Sequence, residues 1–90
     1  MNSRFTIQDL ETRLRARRHK LTSQRRVVLE IFLENQGEHL SAEDVYDLLR
    51  DKGMDVGLAT VYRSLELLAE LGILQRMEFG DGCSRYELGD

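Results

Sequence analysis

The chain has 90 residues, of which 41% are hydrophobic and 32% charged, with no proline and one cysteine. This length suits one domain with a modest core and is too short for a second. No run approaches the roughly 20 apolar residues of a membrane span, and the N-terminus lacks the apolar core of a signal peptide. A lone cysteine excludes an intramolecular disulfide, so we expect a reducing compartment and a cytoplasmic location.

Basic residues are concentrated in one run. The net charge of −3 taken alone argues against a nucleic-acid partner. Residues 13–26, however, carry seven basic side chains and no acidic one, while the other 76 residues carry sixteen acidic and only six basic side chains. Because salt screens charges beyond roughly 10 Å, a local basic run attracts phosphates whatever the total charge. A solvated helix face is an equally good interpretation of charge alone. The run has no acidic member and consists of Arg13, Arg15, Arg17, Arg18, Lys20, Arg25 and Arg26.

Three helices are predicted in the first part of the chain. In the first helix, Ile7, Leu10 and Leu14 recur at i, i+3 and i+7, which places them on one apolar face. In the third, Glu43 and Asp44 fall in the first turn, where they favour the helix dipole. The predicted N-caps are Thr6, Thr22 and Ser41, and the predicted ends are near 18–19, at Gly37 and at Gly53.

A fourth helix is predicted from Gly57 or Leu58 to Gly72, followed by two short runs around a glycine-rich turn at 80–82. The runs, 74–79 and 83–88, are typical of a β-hairpin. The predicted fold is therefore mainly α with a small β-hairpin: a winged helix-turn-helix of four helices and a two-stranded wing, occupying residues 1–90. The stripe that faces its core in the fourth helix is Leu58, Val61, Leu65 and Leu68.

The first two turns of the fourth helix carry side chains suited to DNA. In a helix-turn-helix, the second helix enters the major groove and its N-terminal residues contact base edges. A hydroxyl, a flat ring and a forked guanidinium suit phosphates and bases. Glu66 and Glu70 would repel phosphates, so contact is predicted in the first half only. Tyr62 lies at the edge of the core stripe, which leaves simple packing as an alternative. The four residues are Ala59, Thr60, Tyr62 and Arg63.

Four segments together resemble the ferric uptake regulator (Fur) family. They span about residues 10 to 88, in that family's order and at its spacing. The resemblance implies a metal-responsive repressor that acts as a dimer, with an N-terminal winged helix and a C-terminal domain for dimerisation and metal sensing. Since the family usually continues into a histidine-rich hinge where this chain stops, we expect an isolated DNA-binding domain. The segments are 21–26 (LTSQRR), 39–46 (HLSAEDVY), 56–63 (VGLATVYR) with 71–74 (LGIL), and 84–88 (SRYEL).

The resemblance also assigns DNA contacts. It implies that Tyr62 packs on thymine methyl groups and that Arg63 contacts a base edge or phosphate. Lys20 matches a lysine that enters the narrow, electronegative minor groove of A·T-rich DNA. The implied phosphate contacts, at the N-terminus of the second helix, are Thr22, Gln24 and Arg25. The expected partner is an A·T-rich palindromic operator in double-stranded DNA. The predicted DNA-binding set is Arg18, Lys20, Thr22, Gln24, Arg25, Ala59, Thr60, Tyr62 and Arg63.

Two residues bear on metal. His39 and Glu87 match positions that, in many relatives, join hinge histidines in a regulatory site. Imidazole and carboxylate suit iron, manganese or zinc. Two ligands do not close a site, so no cofactor is expected in this chain, and a divalent metal is expected for the full-length protein. A surface histidine before a helix cap and a strand-end glutamate are the alternative.

The sequence leaves two other classes of function to consider. An enzyme is not expected, because no nucleophile–base pair, phosphate-cradling loop or catalytic carboxylate pair can be named. A winged helix that docks proteins through the acidic end of the fourth helix is the second alternative. The cationic segment 20–26 favours DNA over docking. Alone, the unit is expected to be monomeric, with a homodimer only in the presence of the C-terminal domain.

Overall fold

The computed structural model describes residues 5–89. The helices are α1 (Ile7–Ala16), α2 (Ser23–Glu34), α3 (Ala42–Asp51) and α4 (Leu58–Glu70). The strands β1 (Leu40–Ser41), β2 (Leu74–Glu78) and β3 (Ser84–Leu88) form one antiparallel sheet in the order β1-β3-β2. The predicted winged helix-turn-helix is confirmed, with α3 and α4 as the helix-turn-helix and β2–β3 as the wing.

Side-chain caps begin three of the helices at the predicted residues. Thr6 and Asp9 form a capping box, in which each side chain accepts from the other residue's backbone N–H, at 3.2 and 3.0 Å. Ser41 and Asp44 repeat the arrangement at α3. The Thr22 hydroxyl accepts from the third residue of α2 at 3.2 Å. These bonds satisfy backbone donors that a helix start leaves unpaired.

Three of the four helices end in the same way, and α1 ends at Ala16, earlier than the predicted 18–19. Helix α2 ends at Glu34 with its cap at Asn35, two residues before the predicted Gly37. Arg18 adopts φ 64°, and Gly53 and Gly72 adopt φ 80° and 78° after α3 and α4. In each case two backbone N–H groups donate back to carbonyls of the last turn, at 2.9 to 3.0 Å. This left-handed closure normally uses glycine, so α1 is the exception among the three.

The sheet contains a third strand that the sequence did not predict. Leu40 pairs with Tyr86 and Ser41 with Arg85. A two-residue strand is too short to show alternation, and Ser41 also caps α3, so the segment was interpreted only as a helix start. The two-stranded wing β2–β3 thus belongs to a sheet of three strands. The hairpin itself is confirmed, with each strand one residue shorter than expected.

One hydrophobic core joins all four helices to the sheet. On α4, Val61, Leu65 and Leu68 are fully buried, whereas Leu58 is only partly buried against the core. The opposite face of α4 is therefore left to solvent. No helix within residues 5–89 is long and apolar enough to cross a membrane. The core residues are Leu10, Leu14, Val28, Leu29, Ile31, Phe32, Leu40, Ala42, Val45, Leu49, Val61, Leu65, Leu68, Ile73, Leu74 and Tyr86.

Candidate nucleic-acid interface

The first two turns of α4 present their polar side chains outward. Ala59, Tyr62 and Arg63 are exposed and Thr60 is half-buried. The Arg63 guanidinium donates to Thr60 Oγ1 at 3.2 Å, so it lies along the start of the helix. Tyr62 keeps 39% of its surface exposed, so its ring is not buried in the core. The start of α4 is therefore free of the core on this side.

A surface groove separates these turns from the N-terminus of α2. Five of the nine residues predicted to contact DNA border it, from two segments far apart in the sequence. The groove also includes Ser23 and Ser64, which sequence reasoning did not select, although Ser23 directly follows the predicted cap. The lining residues are Thr22, Ser23, Gln24, Arg25, Thr60, Arg63, Ser64 and Leu67.

The α2 side of the groove is electropositive. The Arg25 guanidinium donates to the Lys20 carbonyl at 2.7 Å, which holds the loop before α2 against its first turn. Lys20 itself is exposed. The unpaired N–H groups at a helix start carry partial positive charge and attract anions. Two cations and a helix N-terminus thus lie together at this end of the groove.

Two arginines of the basic run, neither of them in the predicted DNA-binding set, bond to backbone carbonyls of the chain itself. Arg13 donates to the carbonyls of Gly89 at 2.8 Å and Gly72 at 3.1 Å, and Arg17 donates to the carbonyl of Leu71 at 3.0 Å. Both guanidinium groups therefore satisfy backbone acceptors near the end of α4, where a cation also favours the helix dipole. They connect α1 to the far end of α4.

Two more arginines pair within their own helices. Arg15 bonds Glu11 at 3.0 Å and Arg26 bonds Glu30 at 3.3 Å, both exposed pairs one turn apart. Such pairs contribute little to stability. The cations of the run that remain for a partner lie between α1 and the start of α2. They are Arg18, Lys20 and Arg25.

Tyr62 has a partner that sequence reasoning did not identify. Its hydroxyl donates to Glu43 Oε2 on α3 at 2.7 Å. This hydrogen bond raises the pKa of Tyr62 above its usual value, with smaller contributions from burial and the glutamate charge. Glu43 was assigned only to the dipole of α3, because the two residues are nineteen positions apart and no periodicity links them.

The second half of α4 is acidic on its exposed side. Glu66 and Glu70 are exposed and border a groove shared with Arg76 of β2. Negative charge here repels phosphates. The arrangement favours contact with DNA through the first half of α4, which stays a prediction.

His39 and Glu87 meet because β1 pairs with β3. His39 Nε2 lies 2.5 Å from Glu87 Oε1, with 42% and 26% of the two side chains exposed. One imidazole nitrogen and one carboxylate oxygen fit a divalent ion, provided the two atoms separate to make bonds of about 2.0–2.2 Å each. Within residues 5–89, no group of three or more His, Cys, Asp or Glu side chains could hold a metal.

The wing tip is held by a separate set of contacts. Asp81 accepts from the backbone N–H of Cys83 at 3.1 Å and pairs with Arg85 at 3.0 Å, and these two bonds lower the pKa of Asp81. Arg85 also stacks over Phe79, 5.4 Å from the ring centre. The His39 ring meets the edge of Phe79 at 5.3 Å. Cys83 is a half-buried free thiol that directly precedes β3.

Comparison with known proteins identifies the family of this chain. The profile of the Ferric uptake regulator family matches residues 16–90. The chain belongs to the ferric uptake regulator family. It is 50% identical over 82 residues to the ferric uptake regulation protein of Bacillus subtilis (strain 168), covering 91% of this chain and 55% of that protein. The resemblance carried by the four sequence segments is confirmed.

Solved structures of Fur proteins share the fold. The Vibrio cholerae ferric uptake regulator superposes with a TM-score of 0.80 at 38% identity, covering 91% of this chain and 63% of that chain. The regulator of Pseudomonas aeruginosa with manganese gives 0.80 at 40% identity, covering 88% and 59%. The chain spans about half the length of the curated relatives it matches.

Proposed function

We propose that this Fur-family chain binds double-stranded DNA with sequence preference, as the operator-recognition unit of a metal-responsive transcriptional repressor in the cytoplasm. The groove between the N-terminus of α2 and the first turns of α4 supports this most directly, because it joins a cationic edge to exposed polar side chains. The curated relatives are named as regulators, and we propose no catalytic activity.

In this proposal the two sides of the groove have different tasks. The start of α4 enters the major groove, where Arg63 reaches a base edge and the Tyr62 ring lies against a thymine methyl. The start of α2 holds the phosphate backbone through Thr22 and Arg25, which fixes the orientation of the domain without reading sequence. Lys20 extends from the loop before α2 into the narrow minor groove of A·T-rich DNA.

The proposed metal response involves the sheet where β1 pairs with β3, and not the groove between α2 and α4. His39 and Glu87 would supply two donors to a divalent ion such as iron, manganese or zinc, and the remaining donors would come from other parts of the full-length regulator. When bound, the ion cross-links those parts to this domain. A palindromic operator requires two copies of this unit, so we propose that the full-length protein acts as a dimer.

Fluorescence anisotropy with labelled duplexes tests the proposal. The strongest-binding duplex is first selected from a random pool, and affinity is then compared with a scrambled duplex of the same composition. We expect tighter binding to the selected duplex, and we expect Arg63→Ala to weaken binding to it by about 1–3 kcal/mol and to reduce the preference.

Arg76→Ala is the matched control, because Arg76 lies beside the acidic second half of α4 and pairs with Glu78. It removes the same charge and should leave the sequence preference unchanged. Equal affinity of the unaltered chain for selected and scrambled duplexes would refute sequence-preferring binding. An equal loss in both variants would refute the role of Arg63.

A further inference from the structure

The hydrogen bond between Tyr62 and Glu43 joins α4 to the first turn of α3 beside the proposed interface. The phenol oxygen donates to a carboxylate oxygen at 2.7 Å, and both side chains are exposed. Hydrogen bonds to an ionised acceptor are shorter and stronger than those between neutral groups. Because this bond fixes the far end of the ring, it selects one of the staggered positions available to an exposed tyrosine.

Glu43 is an acidic group on a surface proposed to meet phosphates. Its charge opposes phosphate approach, so phosphate affinity does not explain it. Its place in the first turn favours the dipole of α3, but the cap does not require it, because Ser41 and Asp44 already form the complete capping box, at 3.0 and 3.1 Å. Within residues 5–89, the side-chain hydrogen bond that its carboxylate accepts comes from Tyr62.

We propose that Glu43 is a specificity-determining positioning residue, which holds the Tyr62 hydroxyl so that the ring presents one face to a single thymine methyl. This inference rests on the proposed function. Apolar contact with the C5-methyl group distinguishes thymine from other bases. Without the hydrogen bond to Glu43, the Tyr62 ring also contacts neighbouring base positions of the duplex. The preference for thymine at one position then falls, while the affinity for phosphate does not.

Substitution of deoxyuridine for thymine tests this, since it removes only the methyl group. Each thymine of the selected duplex is replaced in turn, and affinity is measured by fluorescence anisotropy. The unaltered chain should bind about fourfold more weakly at one position, the effect of one lost methyl contact. Glu43→Gln keeps an acceptor oxygen and should keep the fourfold ratio, whereas Glu43→Ala should bring the ratio close to one.

Two further variants test whether Glu43 acts through the Tyr62 hydroxyl. Glu38→Ala removes an exposed carboxylate in the loop between α2 and β1 and should keep the ratio. Tyr62→Phe lacks the hydroxyl and should lower the ratio by itself, after which Glu43→Ala should lower it no further. Thermal melting by circular dichroism establishes that each variant is folded.

The outcomes separate this inference from the function on which it rests. A chain that binds every duplex equally refutes both. A chain that discriminates, with a fourfold ratio retained in Glu43→Ala, refutes the inference alone. An effect of Glu43→Ala that persists in the Tyr62→Phe background also refutes it, since Glu43 would then act directly, for example by accepting from the N4 amino group of cytosine.

Discussion

Arg18 occupies a backbone conformation that most side chains avoid. Its φ of 64° lies at the closing position of α1, where Gly53 and Gly72 stand after α3 and α4. For a residue with a Cβ this conformation costs about 1–2 kcal/mol relative to the right-handed one. Strained residues that persist in a fold often have a functional role. We interpret the exposed Arg18 side chain as a phosphate contact retained despite its effect on stability.

Replacement by glycine separates these two properties. Arg18→Gly should raise the free energy of unfolding by about 0.5–1 kcal/mol, because relief of strain exceeds the entropy that glycine adds to the unfolded chain. The same variant should bind DNA more weakly. Arg18→Ala is the control, since it loses the charge but keeps the strained backbone. Urea denaturation and anisotropy measure the two effects, and a less stable Arg18→Gly would contradict the assignment of strain.

At the scale of elements, α1 anchors the end of α4 through backbone carbonyls. The Arg13 guanidinium bridges Gly72, which follows α4, and Gly89, which follows β3, and it is partly buried at this junction. The sequence shows how many basic residues the run contains, but it does not show which way their side chains point. A charged side chain reveals its partner only when the fold brings an acceptor within reach. Two of the seven basic residues of the run, Arg13 and Arg17, thus bond to backbone carbonyls of the fold.

Arg13→Ala should therefore destabilise the fold. Bonds from a charged donor to two carbonyls contribute more than neutral ones, so we expect a loss of about 1.5–3 kcal/mol in the free energy of unfolding. Arg15→Ala, which removes an exposed pair with Glu11 on the same helix, should change it by less than about 0.5 kcal/mol. Urea denaturation measures both. Equal small losses would show that the bridge is not stabilising.

The elements themselves were largely predictable, because each carries a local signal. Apolar periodicity and the caps Thr6, Thr22 and Ser41 located the helices, and the glycine-rich turn located the hairpin. Strand β1 could not be predicted from the sequence, because its two residues form a strand only by pairing with β3. The contact between Tyr62 and Glu43 could not be predicted for a similar reason, since it depends on how α3 packs against α4.

At the scale of the whole molecule, charge is segregated rather than balanced. The net charge is −3, yet cations gather at the start of α2 while Glu66 and Glu70 occupy the second half of α4. DNA binding that uses such a local patch depends steeply on salt, because each neutralised phosphate releases a counterion. The acidic remainder of the surface limits contact to one face.

Lys20→Ala should accordingly reduce the slope of log affinity against log salt by about one unit, because one cation fewer then displaces counterions from the DNA. Lys52→Ala removes the same charge at the opposite end of α2, about 18 Å from its start, where Lys52 bonds Glu34 at 3.0 Å. The slope for that variant should match the unaltered chain. Parallel slopes for all three proteins would place Lys20 outside the interface.

In the proposed complex, DNA lies against the first turns of α2 and α4. Backbone amide chemical shifts of the ¹⁵N-labelled chain, followed by NMR during titration with the selected duplex, test it residue by residue. We expect the largest changes at residues 20–25 and 58–63, with small changes at Glu66, Glu70 and the tip of the wing. Largest changes in the second half of α4 or in the wing would contradict it.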